Sequence, residues 1–122
     1  MTSPSIPIIN HFVALIKVEP FENSVRIIEG LAEAIVGSLG LNVVNKLSHA
    51  FSPQGVTLVY VLSESHLAIH SWPELGTIHV DLVTCHSTTR KQFENSLNSA
   101  LAGFNLQSIF ITELGRLRGR RL

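Results

Sequence analysis

A serine, a glutamate and two histidines crowd into one short stretch of this chain, Glu64-Ser65-His66-Leu67-Ala68-Ile69-His70. Hydroxyl, carboxylate and imidazole are the groups that attack carbonyls, move protons and ligate metals. They stand where apolar residues run up to Leu62 and resume at Leu67, so a polar group interrupts a strand pattern. Polar side chains in such a run are either hydrogen-bonded or chemically used.

Three chemistries compete. His66 and His70 are four apart, but on a strand that spacing leaves them well separated, no Glu follows His66, and Cys85 is the one cysteine. A metal is therefore not expected. Ser65, His70 and Asp81 supply the residue types of a hydrolytic triad, yet no Gly-x-Ser-x-Gly surrounds Ser65. Cys85 beside a histidine would make a thiol pair, against the plainer role of a small buried hydrophobe. The residues alone leave these open, beside histidines simply hydrogen-bonded near a core.

The elements that must position these groups read as follows. Ile8 to Val18 is a first strand, and Val25, Ile28, Leu31, Ala32, Ile35 and Leu39 space a helix that Asn23 or Ser24 can cap and Gly40 can stop. Leu41–Phe51, Val56–Leu62, Leu67–Ser71 and Thr77–Cys85 are strands, broken by turns at Ser52-Pro53-Gln54-Gly55 and Pro73-Glu74-Leu75-Gly76. Thr89 and Gln92 have capping-box spacing for a second helix, with Phe93, Leu97, Ala100 and Leu101 inward and Gly103 ending it. Leu106–Leu114 is a last strand. The short connections make the middle strands antiparallel neighbours. This predicts an α+β fold, a two-layer α/β sandwich of a mainly antiparallel sheet with two helices on one face. The other face is left for water or a second subunit. Alternation also places Ser65 and His70 on opposite faces of one strand, so a bend near Glu64-Ser65 is needed if they are to meet.

With 122 residues and 45% apolar content, the chain is read as one domain, residues 1–122. Nine basic residues balance nine acidic ones, and 15% charge is low, which points to surface covered in a homo-oligomer. The lone Cys85 fits a reducing cytoplasm, the start Met1-Thr2-Ser3-Pro4-Ser5 does not resemble a signal peptide, and no apolar run reaches membrane-spanning length. Arg116, Arg118, Arg120 and Arg121 crowd the last residues and are read as a solvated end. No nucleic-acid partner is expected of a chain with no net charge.

Ser63-Glu64-Ser65-His66-Leu67-Ala68-Ile69-His70-Ser71-Trp72-Pro73-Glu74, with Val80-Asp81-Leu82-Val83-Thr84-Cys85 after it and Pro53-Gln54-Gly55-Val56-Thr57 before it, resembles the small prokaryotic S-adenosylmethionine decarboxylases. The resemblance implies a self-cleaving proenzyme. Ser65 would attack the Glu64 carbonyl to give an ester, and His70 would take the Ser65 α-proton and eliminate it. A β chain (1–64) and an α chain (65–122) would result, the second headed by a pyruvoyl group derived from Ser65. Thr57 stands at the hydroxyl that assists processing. The substrate amine would form a Schiff base with the pyruvoyl carbonyl. Cys85 matches the acid that returns a proton after carbon dioxide leaves. Phe51 matches an aromatic that stacks on adenine, Glu74 a carboxylate on the ribose, and Leu67 a further substrate contact. A homodimer of cleaved protomers, with the site near the subunit interface, and a role in spermidine synthesis are implied with these.

The chain departs from the family pattern at several positions. Thr57 replaces serine, His86 follows Cys85 where glycine is usual, Leu75 replaces an aromatic, and Asn10-His11 replace a Gly-basic-His start. Two alternatives stand beside the first reading: an arginine or ornithine decarboxylase using the same pyruvoyl group, and an uncleaved, non-catalytic binding paralogue.

Overall fold

Alternation lays down the sheet. In β1 (Asn10–Val18), Phe12, Ala14, Ile16 and Val18 are fully buried and the residues between them face outward. The same period of two recurs in β3 (Val56–Leu62), β4 (Ser65–Trp72) and β5 (Thr77–Thr84), which bury Val56, Leu58 and Tyr60, then Leu67 and Ile69, then Ile78, Val80 and Leu82. With β2 (Val43–Ala50) and β6 (Leu106–Leu114) they form one six-stranded sheet in the order β2-β3-β4-β5-β1-β6. Every neighbouring pair is antiparallel. The computed structural model describes residues 8–114, so the readings of 1–7 and of the arginine tail lie outside the described residues.

Both helices cover the same sheet face, as their apolar spacing predicts. α1 (Val25–Leu39) buries Ile28, Leu31, Ala32, Ile35 and Val36, and α2 (Arg90–Ala100) buries Phe93, Ser96 and Leu97. Phe93 stacks on Phe12 of β1 with ring centroids 5.1 Å apart, which fixes α2 on the inward side. Each Leu, Ile or Phe buried this way contributes about 1.5–3 kcal/mol. The result is the expected two-layer α+β sandwich.

The helix ends differ in part from expectation. The capping box is present, with Thr89 Oγ1 accepting from the Gln92 N–H at 3.1 Å and Gln92 Oε1 accepting from the Thr89 N–H at 2.8 Å. Gly40 takes the left-handed conformation, φ 65°, and ends α1. Ser24 occupies the N-cap of α1 but its side chain makes no capping bond, and Asn23 Oδ1 accepts instead from the Gly55 N–H at 3.1 Å. α2 ends at Ala100 and not at Gly103, because the chain turns over Leu101–Phe104.

The second sheet face is open. Leu15 and Phe110 face each other across β1 and β6, Leu47 lies opposite Val59, and Leu15, Leu47, Val61 and Phe110 are all exposed. The outward residues of the middle strands, His66, Ala68, His70 and Trp72 on β4 and His79, Asp81 and Val83 on β5, share this face. No helix among the described residues is long and apolar enough to cross a membrane.

Candidate active site

The polar interruption is a hairpin. Pairing runs to Leu62↔Ser65, so only Ser63 and Glu64 connect β3 to β4, and β4 begins at Ser65, two residues before the apolar pattern resumes. Glu64 has φ 58°, the one described non-glycine residue with a positive φ. A side chain there costs about 1–2 kcal/mol, and the residue that bears the cost is the one whose carbonyl precedes Ser65. The tip is fastened from β2's approach: the Ser63 N–H donates to the Asn42 carbonyl at 3.0 Å, and Asn42 Nδ2 donates to Ser63 Oγ at 2.8 Å.

Cys85, just past β5, closes around this tip. Its backbone N–H donates to Ser65 Oγ at 3.1 Å, and its sulfur lies 3.7 Å from the same hydroxyl. The thiol also lies 3.6 Å from Glu64 Oε2. Cys85 is held from both sides, since the His86 N–H donates to Thr84 Oγ1 at 3.0 Å and Asn10 Nδ2 donates to the His86 carbonyl. Glu64, Ser65 and Cys85 are thus one cluster at one end of the sheet.

A second cluster sits at the other end of β3 and β4. Thr57 and His70 are direct cross-strand partners, with Thr57 Oγ1 2.9 Å from His70 Nδ1. His79 of β5 lies directly opposite His70 on its other side, ring centroids 6.0 Å apart, and the Trp72 ring is 6.3 Å away. Phe51, half exposed beyond β2, is tied by its N–H to the Gly55 carbonyl at 2.8 Å. Gly55 has φ 106°, a conformation that requires glycine. Glu74 is exposed on the 3₁₀ turn Pro73–Leu75, which follows β4 directly.

Within one chain the two clusters do not meet. Ser65 and His70 are five residues apart on one unbroken strand, about 17 Å at the usual rise, far beyond hydrogen-bond reach. The turn at Glu64 makes the hairpin and does not fold Ser65 back toward His70, so the bend they would need in order to meet is not there. Asp81 pairs with His11 at 2.8 Å, so no Ser65–His70–Asp81 triad is assembled. Leu67 is fully buried, so of this residue only the main chain is open to the substrate contact that the resemblance implies. Among the described residues no group of three or more His, Cys, Asp or Glu side chains could hold a metal.

Sequence reasoning did not single out His49, His79 or the His11–Asp81 pair as parts of this surface. The pairing of Thr57 with His49 and of His70 with His79 comes from register between strands that the local pattern does not specify. The one local signal was the placement of His49 two residues before Phe51, on the same face of a strand.

The family model for S-adenosylmethionine decarboxylase matches residues 15–116. The chain belongs to the S-adenosylmethionine decarboxylase family. The S-adenosylmethionine decarboxylase proenzyme of Carboxydothermus hydrogenoformans is 47% identical over 66 residues, covering 54% of this chain and 52% of that protein. The one from Pelotomaculum thermopropionicum is 52% identical over 61 residues, 48% of each chain. The match spans about half the length of these curated relatives. The crystal structure of the adenosylmethionine decarboxylase from Aquifex aeolicus VF5 superposes with a TM-score of 0.77 over 97% of this chain and 98% of that one, at 24% identity, which establishes a shared fold. In this member of the family, the hydroxyl of Ser65 follows a residue with positive φ and has a thiol beside it.

Proposed function

We propose that the protein is a self-processing, pyruvoyl-dependent decarboxylase of S-adenosylmethionine, acting as a homodimer. The observation that carries this reading is the hold on Ser65: its hydroxyl is fixed by the Cys85 N–H next to a Glu64 peptide in the left-handed region. The residues present fit a pyruvoyl group there, since the hydroxyl that must attack, the carbonyl that must be attacked and a thiol are contiguous.

Processing is chemistry of the chain alone. Ser65 Oγ bonds to the Glu64 carbonyl carbon as the C–N bond breaks, leaving an ester. A base removes the Ser65 α-proton, and the Glu64 carboxylate departs as leaving group. Water then replaces the nitrogen at residue 65, which leaves as ammonia. His70 suits the base: if Nδ1–H donates to Thr57 Oγ1, Nε2 is free to accept a proton. The pyruvoyl carbonyl supplies the electron sink that a decarboxylation needs and that no ordinary side chain offers. Cys85 then holds a proton beside the reacting carbon, Phe51 offers a π face for a nucleobase and a sulfonium, and Glu74 accepts from hydroxyls.

The gap along β4 supports the dimer. One protomer holds Ser65 and Cys85 at one end of β4 and, on the open face, Thr57 and His70 at the other. A two-fold related copy laid on that face can bring His70 of the partner subunit to Ser65, and would cover Leu15, Leu47, Val61 and Phe110.

Denaturing mass spectrometry tests the reading. Two fragments, 1–64 and a 65–122 fragment blocked by pyruvate, are expected, with carbon dioxide released from labelled S-adenosylmethionine and not from arginine or ornithine. A single intact chain after long incubation would overturn it in favour of a binding paralogue. Co-expressed Ser65→Ala and His70→Ala chains are expected to yield cleaved His70→Ala protomers, and no cleavage in the mixture would reject the shared site.

A further inference from the structure

We infer that His49 is a positioning residue that sets the Phe51 ring for its ligand, a role that rests on the reading of Phe51 as an adenine platform. The two rings meet edge to face, centroids 4.6 Å apart and planes at 70°, the arrangement in which the positive rim of one ring meets the negative face of another. His49 and Phe51 lie two apart at the end of β2, so both project to the open face. His49 is exposed on an edge strand and contributes nothing to the core.

Phe51 needs such a brace. It is 50% exposed and lies one residue past the last paired residue of β2, with its main chain secured by Gly55. That bond fixes the backbone and leaves the ring to turn about two side-chain torsions. The His49 edge removes part of that freedom before a ligand arrives, which lowers the ordering cost of binding. His49 is also the direct cross-strand partner of Thr57, whose hydroxyl meets His70. One row across β2, β3 and β4 therefore joins the ring that would hold the base to the pair that would process the chain.

The test is steady-state kinetics on S-adenosylmethionine for His49→Ala, His49→Phe, Phe51→Ala and the His49→Ala/Phe51→Ala double variant, each first checked for complete cleavage and an unchanged melting temperature. His49→Ala is expected to raise KM roughly two- to tenfold with kcat within about twofold of wild type. His49→Phe, which keeps an aromatic edge, should restore KM, and His49→Ala should add nothing once Phe51 is gone. A raised KM in Phe51→Ala with none in His49→Ala would overturn the positioning role alone. An unchanged KM in Phe51→Ala would remove the platform reading and His49's role with it.

Discussion

Thr57 and His70 face each other across the β3–β4 ladder with Oγ1 and Nδ1 2.9 Å apart. That hydrogen bond decides which nitrogen of His70 can work as a base, because the nitrogen Thr57 engages is no longer free. Its loss should therefore slow processing more than it harms the fold. Thr57→Val keeps the shape and removes the hydroxyl, and should slow appearance of the two fragments roughly 10- to 100-fold, a part of what a positioned base contributes. Thr57→Ser frees the stiff β-branched rotor and should cleave at least as fast as wild type. Timed mass spectra of purified protein measure both, and Thr57→Val cleaving at the wild-type rate would separate Thr57 from processing.

Ser65 Oγ accepts the Cys85 N–H, whereas the other hydroxyl of the hairpin, Ser63 Oγ, is engaged by Asn42. Ser65→Ala should remain a single chain without decarboxylase activity while melting within a few degrees of the wild-type proenzyme, since one partly buried hydroxyl is removed. Two fragments from that variant would show that some other group opens the backbone.

Cys85 touches Ser65 in two ways, and they can be separated. The backbone N–H supports the Ser65 hydroxyl, and the sulfur lies near both Ser65 and Glu64. Cys85→Ser retains the first and changes the second, so it should still cleave. Its kcat should fall by about 10²–10⁴, the usual worth of a well-placed proton donor. Quantifying carbon dioxide release from fully cleaved Cys85→Ser protein checks this, and turnover equal to wild type would take Cys85 out of the reaction.

Much of this arrangement was legible because it rests on local periods. Alternation in Thr77–Thr84 separates His79, Asp81 and Val83 from Ile78, Val80 and Leu82, and the same division appears as outward and inward faces. The Thr89–Gln92 spacing fixed the start of α2 for a similarly local reason. What failed were inferences that needed a partner in space. Ser65 and His66 looked like an interruption because they are polar, yet a two-residue hairpin with Glu64 in the left-handed region lets them pair with Leu62 and Val61. Asn23 looked like a cap until Gly55 proved to be its donor. The separation of Ser65 from His70 follows from β4 pairing without a break from Ser65 onward, and a residue count does not reveal whether a strand is interrupted.

Glu74 sits on a turn whose position depends on Gly76. This glycine has φ 57°, and a Cβ there would overlap the Val18 carbonyl, whose own N–H donates to the Gly76 carbonyl at 2.8 Å. Lys17 adds a bond from its ammonium to the Leu75 carbonyl. Gly40 has nearly the same φ, 65°, but open space where a Cβ would go. Gly40→Ala should therefore cost only the left-handed penalty, about 1–2 kcal/mol. Gly76→Ala must also push the turn away from β1, and should cost roughly 3–5 kcal/mol. Urea midpoints at unchanged m values compare the two directly. If Gly76→Ala folds, displacement of Glu74 should raise KM for S-adenosylmethionine, whereas Gly40→Ala should leave KM alone. Equal destabilisation by the two substitutions would mean that the turn yields freely, and that Glu74 is not held in place by its packing on β1.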